Sequence, residues 1–169
     1  MTSSDLEMAF GHHVWATLRL IDACASLDDD QLSASVPGTY GSILDIMRHT
    51  VGADAWYLFV LSEGTSPQID EDAMRLPELR DVMAGQAPVW SRLLARDLDP
   101  KADVVAHRQD GSEGHAPIAI RLAQALHHGT DHRSQICTGL TALGVEPPDI
   151  DVWAFGERDG LVFDVPPPP

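Results

Sequence analysis

The sequence predicts an all-α protein, a four-helix bundle, and three observations carry that expectation. Four stretches place apolar residues at helical spacing, the connections between them are short or moderate, and a length of 169 residues suits one compact domain. The domain is expected to span residues 1–165, ahead of a proline-rich tail at 166–169 that cannot continue a helix.

The first helix is announced by Ser4-Asp5-Leu6-Glu7, which has the spacing of a capping box, and by the stripe Leu6, Phe10, Val14, Leu18 and Ile21. It is expected to end near Leu27, closed by the polar run Asp28-Asp29-Asp30. In the second, Ser42 precedes Asp45 by three residues. The hydroxyl can accept from the third helical amide while the carboxylate sits near the positive end of the helix dipole. That helix should run from Ile43 to Leu61 and stop before Gly64 and Ser66-Pro67. Pro77 suits the first turn of a third helix carried by Leu79, Val82, Met83, Trp90, Leu93 and Leu94, with Gly85 and Pro88 expected to disturb its middle. Val104, Val105 and a Gly111-Ser112-Glu113-Gly114 turn predict a short extended segment or small hairpin between Leu98 and Ala116. The fourth helix has Pro117 in its first turn, carries Ile118, Leu122, Ala125, Gly129, Ile136, Leu140 and Leu143 on its inner stripe, and ends at Gly144 and Pro147-Pro148.

Composition narrows the function. With 26 acidic against 11 basic residues and a formal charge of −15, the surface repels a phosphate backbone, so nucleic acid is not an expected partner. The N-terminal stretch has no cationic run followed by an apolar one, and no segment offers the roughly 20 apolar residues that span a bilayer, so a cytoplasmic location is expected. Cys24 and Cys137 stand alone and read as small core residues, with neither a zinc knuckle nor a disulfide framework indicated.

His127, His128 and His132 fall within six positions of the fourth helix. Residues four apart on a helix have Cβ atoms about 5–6 Å apart on one face, so His128 and His132 can aim both rings at one point. Their place between Ala125 and Ile136 turns them inward, where a charged imidazole is costly and a neutral one needs partners. A divalent cation would supply them, and so would a hydrogen-bonded pair of core histidines. His49, one turn after Asp45 and followed by Ala53 and Trp56 on the same side, reads as buried on the second helix. It is either a satisfied core residue or part of the same cluster. His127 lies about 100° away around the helix, on the surface or in an interface. His12, His13, His107 and His115 read the same way, although His12 and His13 can approach the cleft from the first helix.

Three stretches carry a resemblance: "FGHHVWATLRLIDA" on the first helix, "SILDIMRHTVGADAWYL" on the second and "HHGTDHRSQICTGLTALGVEPPDIDVW" on the fourth. They resemble the DinB family of YfiT-like metalloenzymes over nearly the whole chain and in the family's order of elements. The resemblance implies a bundle in an up-down-down-up arrangement. It also implies a divalent metal bound by one histidine of the second helix and an H-x3-H pair of the fourth, here His49, His128 and His132. The family's usual run after the last ligand is HRGQ, whereas this chain has His132-Arg133-Ser134-Gln135, which adds a side chain close to the site or on its back face. Three neutral imidazoles with an open fourth position resemble a catalytic zinc site, and nickel and other late divalent ions accept imidazole as well. Asp45, Asp131 and Asp54 are the nearby carboxylates that can take the second ring N–H of a ligand.

What the resemblance implies for function is a metal-dependent enzyme. Relatives include S-transferases that use low-molecular-weight thiols such as bacillithiol or mycothiol, and a thiol-dependent maleylpyruvate isomerase. The leading expectation is therefore a thiol-dependent S-transferase acting on a small electrophile, with the metal activating the thiol. Metal-assisted hydrolysis is an alternative, although no glutamate stands at HExxH spacing to act as general base. The remaining alternatives are a stress-associated or structural dimer in which the metal only staples two helices, and a small-molecule binding module without turnover. A homodimer is expected, for which Trp153 and Phe155 in "DVWAFG" are candidate anchors unless they pack across the bundle end.

Overall fold

The computed structural model describes residues 3–165, and the tail expected at 166–169 lies outside them. It is mostly helical. The elements are α1 (Ser3–Cys24), α2 (Asp29–Leu32), α3 (Ile43–Leu61), α4 (Leu76–Leu94), β1 (Asp103–His107), β2 (Glu113–Pro117), α5 (Ile118–Ala142) and α6 (Val152–Arg158), with a 3-10 turn at Glu71–Ala73. The main contacts among the four long helices run α1 to α4, α4 to α3, α3 to α5 and α5 back to α1. Phe10, Leu20 and Ile21 of α1, Ile46 and Met47 of α3, Leu79, Met83 and Trp90 of α4, and Ile136 and Leu140 of α5 fill the space between them.

α1 starts at Ser3 and stops at Cys24, three residues short of the expected end. The reason is a stronger local signal just beyond it. Asp28 accepts from the Gln31 amide and the Gln31 side chain accepts from the Asp28 amide, so the acidic run starts a new one-turn helix, α2, instead of a loop. The capping box expected at Ser4 falls on a side chain outside those described. For α3 the expected bounds hold, and Ser42 and Asp45 form the reciprocal cap. α4 begins at Leu76 with Pro77 in its first turn and runs without a break through Gly85 and Pro88. Pro88 and Ala84 both face solvent, so the Ala84 carbonyl that loses its intrahelical donor is exposed to water and the helix is not interrupted.

The hairpin is present, and its turn sits earlier than expected. Asp103 pairs with Pro117 and His107 with Glu113, which puts Glu113 and Gly114 in the strand and the turn at residues 108–112. Gly111 takes φ +81°, and Asp110 accepts from both the amide and the hydroxyl of Ser112, which fixes the turn there. Arg121 of α5 donates to the carbonyls of Val104 and Gly114 and holds the hairpin against the helix. Pro117 caps α5 without a side-chain hydrogen bond, so it flanks the first turn that it was expected to occupy. The first amides of α5 are taken by the loop before the hairpin: Ile118 donates to the Ala102 carbonyl and Ala119 to that of Pro100. Gly144, at φ +73°, follows the end of the helix as expected.

α6 closes one end. Phe155 is buried against Trp15 and His12, while Trp153 is 69% exposed. The two residues therefore separate: Phe155 packs within the chain, and Trp153 alone stays available as a surface anchor. No helix among the described residues is long and apolar enough to cross a membrane.

Candidate metal centre

α3 and α5 pack side by side, and the contact between them brings three imidazoles together. The cap at Ser42 and Asp45 starts α3 less than two turns before His49, and His128 and His132 stand one turn apart on α5. Nε2 of His128 lies 3.1 Å from Nε2 of His49 and 3.1 Å from Nε2 of His132. All three ligand atoms are within 4.8 Å of one another, and among the described residues no fourth histidine, cysteine or carboxylate joins the group. His132 is buried, whereas His49, expected to be buried, is half-buried with His128. Trp56, expected on the inner side with His49, is 39% exposed.

The chemistry of these donors tests whether a cation fits. A neutral imidazole nitrogen carries either one proton or one lone pair, so the single Nε2 of His128 cannot satisfy two short N···N contacts by hydrogen bonding. Three lone pairs directed at one cation satisfy all of them. A zinc–nitrogen distance of about 2.0–2.1 Å in tetrahedral geometry sets ligand atoms about 3.3 Å apart, close to the 3.1 Å of the two contacts that His128 makes. Burial and the two neighbouring rings push the His128 pKa down to about 4. His132 is lowered by burial and by His49. Both rings are thus neutral, with lone pairs free, at neutral pH. Nδ1 of His132 is buried without a hydrogen bond of acceptable geometry, although Gln135 is close enough to favour its protonated form. The three histidines fit a divalent cation.

The segment before α3 covers one side of the cluster. Tyr40 stacks on His49 at 4.3 Å and 15° and meets His132 edge-on at 5.5 Å. Its amide donates to Oε1 of Gln135, whose Nε2 donates to Asp131 one turn back. Tyr40 remains 59% exposed and so forms a wall that is open to solvent on its far side. Tyr40 and Gln135 were not marked by the sequence as site residues: the first stands in a loop without periodicity, and the second belongs to the run after His132.

The expected carboxylates are placed elsewhere. Asp45 serves the α3 cap, accepting from the amide and hydroxyl of Ser42, and Asp131 accepts from Gln135. Asp54 is buried and accepts from His13 of α1 at 2.7 Å. His13 is in turn 2.9 Å from Nη1 of Arg133, whose pKa burial lowers to about 10, still well above neutrality. Ser134, which stands where the family has glycine, is exposed and lines a groove with Met8, His12 and Cys137 on the back face of α5. His127 is exposed. His12 bonds the Ile150 carbonyl, and His107 and His115 pair with Glu113 and Asp103 on the hairpin. Cys24 is buried and its thiol is pushed up to about 12, which suits a packing role. A cavity of about 700 Å³ lies between the ends of α1, α4 and α5 and is not lined by the three histidines.

The family model for DinB matches residues 1–159. The chain belongs to the DinB family. No curated protein matches it. In this DinB-family chain the match includes α3 and α5, which carry the three clustered histidines, and α1, which supplies His13 to the buried contact with Asp54 and Arg133.

Proposed function

We propose that the protein is a divalent-metal-dependent enzyme, a thiol-dependent S-transferase acting on a small electrophile. The observation that carries the reading is the convergence of Nε2 of His49, His128 and His132 with no fourth protein donor among the described residues. His49, His128 and His132 would hold the ion, zinc or nickel, and leave a position free for a co-substrate. When bound, the ion supplies Lewis acidity that lowers the pKa of a low-molecular-weight thiol. The transfer forms a sulfur–carbon bond as the bond to the leaving group breaks. The leaving group departs with the electron pair and the thiol proton goes to solvent. Tyr40, tethered through Gln135, presents a flat aromatic wall that shields the His49 side of the cluster from water and offers a face for the electrophile to lie on.

Among the described residues no carboxylate joins the three imidazoles to serve as a general base for an attacking water, which favours transfer over metal-dependent hydrolysis. Three protein donors would leave an ion open on one side, whereas a non-catalytic metal staple in a stress-associated dimer would enclose it. The same reading takes the four long helices as a DinB-type bundle in up-down-down-up order. It takes residues 1–165 as one domain, the location as cytoplasmic, and the assembly as a homodimer with Trp153 as a candidate anchor.

Metal analysis tests the site before any substrate is chosen. The purified protein should carry about one divalent ion per chain, and His132→Ala should lose it or bind it far more weakly. Equal metal content in both proteins would remove the reading. Metal-loaded protein that consumes none of the common low-molecular-weight thiols with a reactive test electrophile would remove the transferase assignment alone.

A further inference from the structure

Behind the three histidines lies a second polar cluster that the proposed chemistry does not use. His13 of α1 has 0% of its surface exposed, Asp54 of α3 2% and Arg133 of α5 3%. Arg133 has donors only, so Nδ1 of His13 accepts from its guanidinium and Nε2 carries the ring proton and donates to Oδ2 of Asp54. The three groups form one directed chain: guanidinium, neutral imidazole, carboxylate. Thr17 and Thr130 take further donors of Arg133. Gly129 makes room for the chain, because a Cβ there would overlap the His13 ring and approach Nη1 of Arg133 to 2.9 Å.

Burying such charges is costly, and apolar residues of similar volume commonly stabilise a fold as well or better. The location suggests what the cost supports. Gly129 and Arg133 each follow a ligand-position histidine directly on α5, and Asp54 lies five residues beyond His49 on α3. Three neutral imidazoles leave the full double charge of a divalent ion uncompensated in a partly desolvated site, and Asp54 is the only carboxylate among the described residues buried to this degree.

We propose that Asp54, anchored by His13 and Arg133, is the buried counter-charge of the metal centre, a positioning and electrostatic group outside the ligand set. This rests on the metal-binding reading above. His13 relays Arg133 to Asp54 without contributing charge, and it ties α1 to the two helices that carry the ligands. Outer partners of metal sites commonly govern affinity by about 10–100-fold, and the same scale is expected here.

The test compares the affinity for Zn²⁺ or Ni²⁺, by competition with a chromophoric chelator, with the thermal stability of the metal-free protein. Asp54→Asn should raise the dissociation constant by about 10–100-fold. His13→Leu, which cuts the chain and leaves Asp54 and Arg133 buried without their shared partner, should lower the metal-free melting temperature and also weaken binding by about tenfold or more. His13→Gln, whose amide can accept from Arg133 and donate to Asp54, should restore affinity to near wild type. Unchanged affinity in a folded Asp54→Asn overturns the proposal. If that variant does not fold, equal affinity in His13→Leu and His13→Gln overturns it, as does wild-type affinity in the triple variant Asp54→Leu, His13→Leu and Arg133→Leu, which removes the buried charges as a set. Wild-type protein that binds neither ion overturns the metal-binding reading itself, and this inference with it.

Discussion

In the metal-free protein, acid should destabilise the fold through His128. Burial and the neighbouring rings of His132 and His49 hold its pKa at about 4, against 6.5 in the unfolded chain. Between those values the unfolded state binds a proton that the folded state refuses. Stability is therefore fully present above about pH 6.5 and falls as the pH drops toward about 4. At about pH 5 the penalty is about 2 kcal/mol for a fully desolvated ring, and solvent screening at a half-buried one brings it to about 1 kcal/mol. His132 shifts the same way and adds to the trend. The assay is urea unfolding in the presence of a chelator at about pH 7 and about pH 5, for wild type and His128→Gln. Wild type should lose about 1 kcal/mol more than the variant over that interval, since the contributions of all other groups largely cancel in the difference. Equal losses in the two proteins would show that the His128 ring is neither buried nor crowded by His132 and His49 as described, and the geometric account of the cluster would fail.

Two further outcomes test the framework that positions the cluster. Ser42→Ala removes the hydroxyl that accepts from the Asp45 amide and should cost about 1 kcal/mol in denaturant unfolding, with no loss indicating that α3 does not depend on this cap. Leu79→Ala opens a cavity at a fully buried position of α4 and should cost about 2–5 kcal/mol, whereas a change below about 1 kcal/mol would mean that α4 is not packed as described.

What could be read from the sequence follows the range of each signal. The spacing of His128 and His132, the Ser42-Asp45 cap and Gly144 are local patterns, and each fixes its own surroundings whatever the rest of the chain does. The meeting of His49 with that pair was available through family resemblance, because the separation of 79 residues between His49 and His128 leaves no periodic trace. The chain Arg133–His13–Asp54 was less visible. It joins three helices, and His13 reads from its own segment as one more histidine at the edge of an apolar stripe. Gly129 was the available hint, since a glycine in the middle of an otherwise regular helix calls for a close neighbour. At the end of α1 two local signals competed, and the cap formed by Asp28 and Gln31 prevailed over continuation of the helix.

The root of the hairpin reaches further than its position at the edge suggests. α5 has no side chain at its own start to receive its amides, and the carbonyls of Pro100 and Ala102 take Ile118 and Ala119 instead, while Arg121 grips the two strands from the other side. The ribbon is therefore a splint that sets where the longest helix begins. A shortened version of the segment at 100–117 has to bring its own pair of acceptors, or two of the three imidazoles lose their fixed starting point several turns away.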